Sequence, residues 1–211
     1  MELKKRACGI YMHLEKCEIC GQSGFLELPD ERFEFITTDG MGEFYGQLIH
    51  VMAGLISLPQ VHCDGHRKVE FREIDNRRIL TGRVCWDYLG TYSIWDLTHD
   101  VTESRSWHED FQLQLEIEEL GYEREVITKR TLLLSFKEFC YAVLRCGTEL
   151  LRNYGILGYT QMAEEYEDFN LREFLELKTY VLGVEDEVWC GMRVECRSDL
   201  QKELQLLLFE M

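Results

Sequence analysis

The chain has 211 residues, 39 acidic against 23 basic side chains, and a formal charge of −16. A hydrophobic fraction of 45% and only two prolines, Pro29 and Pro59, exclude a disordered chain and leave room for one sizeable core. The acidity counts against partners that present nucleic-acid phosphates or anionic membranes, and no run reaches the ~18 apolar residues of a membrane span.

Residues 1–9 lack the apolar core of a signal peptide. Nine cysteines is an odd number, so a reducing, cytoplasmic setting is expected in place of a disulfide scaffold. Cys85, Cys140, Cys146, Cys190 and Cys196 are then expected as small apolar residues of the core.

The first motif is Cys17-Glu-Ile-Cys20-Gly21, answered about forty residues later by His62-Cys63-Asp-Gly-His66. Two Cys separated by two residues and followed by Gly form a tight knuckle whose backbone amides face both sulfurs. Cys17, Cys20, Cys63 and His66 supply three soft sulfurs and one imidazole, the ligand set of a closed tetrahedral zinc site. His62 is an alternative to His66, and His13 or Cys8 are possible outer partners. Catalytic zinc keeps one position open for water, and this set already fills four, so zinc is expected to be structural. The plainer alternative is four ordinary side chains in a Cys-rich protein.

Between the two pairs, residues 23–37 predict a hairpin. Phe25, Leu26 and Leu28 precede the Pro29-Asp30 turn signal, and Phe33 and Phe35 alternate with polar neighbours after it. Residues 43–57 carry Leu48, Met52, Leu55 and Ile56 at helical spacing, ended by Pro59. Knuckle, hairpin and helix resemble parts of a treble-clef zinc finger. The order departs from that pattern, because the second pair follows the helix and does not open it, so no treble-clef activity carries over. His50 is expected as a core or edge histidine. Residues 1–66 thus form an N-terminal zinc-knuckle module, expected to pack as one unit with a body of residues 67–211.

Residues 67–133 predict mostly strand. Val69, Phe71 and Ile74 suggest one strand, Asp75-Asn76 a turn, and 79–86 and 92–97 two more strands. At 111–117 the alternation is cleanest. Phe111, Leu113, Leu115 and Ile117 face one way and Gln112, Gln114 and Glu116 the other, as in an antiparallel strand with one wet face. Residues 126–134 return after Gly121. Ser135-Phe-Lys-Glu138 is a capping box opening a helix that ends at Gly155. Asn170-Leu-Arg-Glu173 opens another, ending at Gly183. Residues 188–194 alternate as a strand, and Ser198-Asp-Leu-Gln201 caps a last helix. Strands first and helices later predict an α+β protein: an antiparallel β-sheet covered by C-terminal helices.

No nucleophile elbow or Gly-rich phosphate loop occurs, and no residue is assigned a catalytic role. The densest polar stretch is 95–110, with Trp95, Asp96, His99, Asp100, Trp107, His108 and Asp110 in an expected loop. It offers ligands for a divalent metal or acid–base groups, and the plainer reading is a solvated loop that contacts a partner. Cys85 with His99 is a conceivable nucleophile–base pair. Glu176-Leu-Lys178 matches the end of a metal-dependent nuclease core, but on a helical pattern. Residues 67–83 are locally basic. Residues 164–187 are acidic, with Glu164, Glu165, Tyr166, Glu167 and Asp168 at their start. That stretch reads either as a solvated face or as a surface for a basic protein.

These traits together predict a non-enzymatic, acidic, cytoplasmic binding protein with one structural zinc. It would inhibit or regulate a basic protein partner, with no role at a membrane; a nucleic-acid-binding zinc protein using residues 67–83 is a further alternative, against which the overall charge counts. The likeness to bacterial toxin-immunity or inhibitor proteins is one of traits, not of motif. The rival is a metal-dependent hydrolase or nuclease using the stretch from Asp96 to Asp110.

Overall fold

A computed structural model describes residues 9–17, 21–37, 41–56, 69–88, 90–102, 109–162, 169–183 and 200–209. The chain is an α+β protein built from two antiparallel sheets and, among the described residues, four helices. The first sheet is β1 (Tyr11–Cys17), β2 (Gly21–Glu27) and β3 (Arg32–Thr37), followed by α1 (Met41–Ile56). The second is β4 (Val69–Ile74), β5 (Arg77–Tyr88), β6 (Thr91–Asp100), β7 (Gln112–Leu120) and β8 (Val126–Ser135). Then come α2 (Phe136–Met162), α3 (Leu171–Leu182) and α4 (Leu200–Leu208). Both sheets are meanders, with strand order equal to chain order. The strand expected at 188–194 and the Ser198 cap lie outside the described residues.

The expected hairpin at 23–37 is β2 and β3, and it gains β1 on its other side. Ile10, Met12 and Leu14 are buried while Tyr11 and His13 are half-buried and Glu15 is exposed, the alternation of a sheet with one inner face. Asp75 and Asn76 close the β4–β5 hairpin with φ of 50° and 64°. A two-residue turn with both φ positive matches the strand twist, and Asp and Asn tolerate it.

The strand expected at 92–97 is β6, which runs on through Asp100 into the stretch expected as loop. Trp95, Leu97 and His99 face the core, and Asp96, Thr98 and Asp100 alternate outward. Outward charges on a half-buried strand imitate a loop in composition. On β7 the expected alternation holds, with Phe111, Leu113, Leu115 and Ile117 buried.

The sheet's principal cover also differs from the C-terminal helices that were expected. It is α1, which lies on β5. Phe44, Leu48, Val51, Met52 and Leu55 are buried together with Tyr45, Ile49 and Ala53, so α1 is apolar nearly all round, as a central helix must be. Its approach is close because Gly82 of β5 has no side chain: a Cβ there would collide with Val51. Phe35 of β3, Phe44 of α1, Trp86 of β5 and Trp95 of β6 join in one aromatic cluster, with Phe35–Trp95 and Phe44–Trp86 ring centroids 5.3 and 4.5 Å apart. The Trp86 indole donates to the Ile36 carbonyl at 3.0 Å, so the cluster ties the small sheet to the large one.

α2 docks on β1, and α3 packs on both α1 and α2. Ser135 caps α2 as its box predicts, accepting from the Glu138 amide at 3.2 Å. Asp110 reinforces the cap: its carboxylate accepts from the Lys137 and Phe111 amides, both at 2.9 Å, and from the Ser135 hydroxyl at 2.6 Å. Gly155, at φ 69°, breaks α2, and helix resumes to Met162. The second expected box does not form. Asn170 instead donates its amide to the Gly46 carbonyl at 2.9 Å and pins α3 to α1. His50 of α1 meets Glu173 of α3 at 3.5 Å, and this contact holds the Glu173 carboxyl below its usual range. Among the described residues, no helix is long and apolar enough to cross a membrane.

Candidate functional site

Of the expected zinc ligands, Cys17 is the last residue of β1 and stands opposite Gly21, the first of β2. Cys20, Cys63 and His66 lie outside the described residues, as do His62 and Cys8. His13 lies on β1 between the carboxylates of Glu15 and Glu149, at 3.6 and 3.8 Å. Among the described residues, no group of three His, Cys, Asp or Glu side chains is placed to hold a metal.

The expected partner surface divides. Glu164, Glu165, Tyr166, Glu167, Asp168, Trp107 and His108 lie outside the described residues. Trp95 and His99 are 2% and 4% exposed and belong to the core, with the His99 ring stacked 3.7 Å from Phe111. Asp96 faces outward and accepts two hydrogen bonds from the Arg83 guanidinium, at 2.7 and 2.6 Å. The acid–base set of the rival reading does not converge. Asp96 and Asp100 lie on one face of β6 and His99 on the other, while Asp110 caps α2. Asp100 is bound to the Thr102 amide and to Arg77, and Thr102 above all holds its carboxyl below the usual range. Cys85 is exposed and His99 buried, so they do not form a nucleophile–base pair. Glu176 and Lys178 lie on a helix, α3, as their pattern predicts.

A different set does come together. The two sheets enclose a cleft of about 440 Å³, within the size range of ligand sites. The small sheet contributes His13, Glu15, Ser23, Phe25, Arg32, Glu34 and Ile36. The large sheet contributes Thr91, Ser93 and Glu119. These last three continue the core-facing register of β6 and β7: Trp95 pairs with Ile117, and two residues on, Ser93 pairs with Glu119. The inner face is apolar at Trp95 and Ile117 and polar at Ser93 and Glu119. A register shift between Glu119 and Leu120 marks the same place, and such bulges re-aim side chains at sites.

No family model, curated protein or solved structure matches the chain.

The chemistry of the cleft is that of an acceptor for cations. Three carboxylates, Glu15, Glu34 and Glu119, outnumber the single guanidinium of Arg32. Arg32 lies 3.6 Å over the Phe25 ring and 3.2 Å from Glu34. Thr128 donates to Glu119 at 2.6 Å and Ser23 to Glu15 at 3.3 Å, which orients both carboxylates. Pattern reading passed over this set. The signal was present in Thr91, Ser93 and Glu119, which interrupt apolar alternation on two adjacent strands.

Proposed function

We propose that the protein is a non-enzymatic, acidic binding protein of the toxin-immunity or inhibitor type, cytoplasmic, with one structural zinc and a basic protein as its partner. The observation that carries this reading is the disposition of charge. Arg72, Arg77, Arg83, Lys129, Arg130 and Arg172 are each turned onto a carboxylate of the chain itself. In the locally basic stretch at 67–83, Arg78 instead donates to the Val101 and Thr102 carbonyls, at 3.1 and 3.3 Å, and the chain as a whole keeps 16 negative charges in excess. Such a field speeds encounter with a basic protein and rejects polyanions. The pairing of Cys17 with Gly21 supports the zinc knuckle, whose closed ligand set would stabilise the fold and leave no position for chemistry.

The test has two parts. Protein purified without added metal should carry one zinc per chain, and its cobalt(II) form should show a tetrahedral, thiolate-rich spectrum insensitive to added anions. Reversing the charge of Glu164, Glu165 and Glu167 should slow association with the basic partner about tenfold at low salt and much less at high salt. Association rates that do not change would reject the partner assignment, and an open, anion-sensitive metal would make hydrolysis the first assay.

A further inference from the structure

We infer that the cleft between the two sheets receives an arginine side chain of the basic partner. The inference rests on the binding-protein reading and adds the place and the chemistry of recognition.

Three independent features converge there. The first is the change of character on the large sheet. Ser93 and Glu119 occupy positions whose register neighbours, Trp95 and Ile117, are core residues. Burying a polar side chain at a core-facing position is costly unless it is satisfied, so polar groups persist where that face meets open space. The second is the charge balance, with Glu15, Glu34 and Glu119 against Arg32 and the imidazole of His13. The third is that the cleft already shows how it holds a guanidinium. Arg32 is stacked on Phe25 and paired with Glu34, a geometry that suits arginine better than the compact ammonium of lysine. An incoming guanidinium would find the oriented carboxylates of Glu119 and Glu15 and the hydroxyls of Thr91 and Ser93 within the same lining. It would meet competition from Arg32 for Phe25 and Glu34.

The probe is a hexa-arginine peptide, with hexa-citrulline as its uncharged isostere, titrated into the full-length ¹⁵N-labelled protein. Saturable shifts are expected at the amides of Ser23, Phe25, Ser93 and Glu119 with the arginine peptide and not with the citrulline one. Combining Glu15→Gln with Glu119→Gln should weaken binding about tenfold. The charge-matched pair Glu123→Gln and Glu138→Gln, exposed and outside the cleft, should change it less than twofold. Arg32→Gln should tighten binding, and Arg72→Gln, with the same change in net charge, should not. The unperturbed remainder of each amide spectrum checks folding. If both Glu→Gln pairs weaken binding equally, or the shifts avoid the cleft, the inference falls. Should binding then depend on Glu164, Glu165 and Glu167, the binding-protein reading survives without the cleft. Binding indifferent to all of these residues removes both.

Discussion

On β6 and β7, Trp95, Leu97, Leu113, Leu115 and Ile117 are buried in the core, whereas Thr91, Ser93 and Glu119, further along the same register, line a cleft. The register shift between Glu119 and Leu120 sets the cleft end apart, and so does what stands opposite. The apolar end meets Phe44 of α1 and also Phe35, which borders the cleft as well. Nothing apolar from α1 lines the other end. Lys178 of α3 provides a third case, a polar group on a fully interior position. Its ammonium donates to the carbonyls of Leu207 and Phe209, at 3.3 and 2.6 Å, and so closes the end of α4. An interior polar group bound to the chain's own carbonyls is structural. Polar groups on an interior register that border open space are available to a ligand.

The largest effect that tests this contrast is expected at the apolar end. Trp95→Ala should cost ~3–5 kcal/mol, the range for deleting a large buried aromatic side chain. Urea denaturation would measure it, and a loss below ~1 kcal/mol would mean the cluster does not hold the sheets together.

Lys178 should give a smaller, pH-dependent effect. Burial above all, with Arg152 nearby, pushes its pKa down to about 8 from the ordinary 10.5. The folded value lies below the unfolded one, so between these values the unfolded chain binds the extra proton. The contribution of Lys178 to stability therefore rises with pH across that window and is flat below it. Burial raises the thiols of Cys140 and Cys146 and the Tyr45 phenol, which lowers stability in alkali. That loss is common to wild type and Lys178→Met and cancels in their difference. The wild-type advantage over Lys178→Met should accordingly grow from pH 8 to pH 10, and a constant difference would place the amine at its ordinary value.

The smallest effect belongs to the cleft. Ser93→Ala should alter stability by less than ~0.5 kcal/mol while still weakening the arginine peptide. A larger loss of stability would make Ser93 part of the core and erase the distinction between the two ends.

What could be read from the sequence follows from what periodicity encodes. The 111–117 alternation was legible because β7 has one wet face, where Gln112 and Gln114 are exposed. The Ser135 box was legible because capping is local. The Asn170 box failed for the complementary reason: a contact with Gly46, distant in sequence, takes the side chain. Asp96 and Asp100 made a strand resemble a loop because their ion pairs, with Arg83 and Arg77, cross to the neighbouring strand. The cleft was hidden because it exists only where two sheets meet, and β1, which gives its small-sheet wall His13 and Glu15, went unread despite the alternation of Met12 and Leu14 with His13 and Glu15.

The meander order of both sheets has a kinetic consequence. Within each sheet every strand after the first pairs with the one made immediately before it, so each sheet can zip up segment by segment with small loops to close. What must wait is the seam. Tyr45 of α1 donates to the Val143 carbonyl of α2, and Arg145 of α2 lies 4.1 Å over the Tyr11 ring of β1. The earliest strand and helix of the chain thus stay without their final cover until residues past 140 have formed. The folding barrier should lie in the arrival of α2, with strand pairing already largely complete.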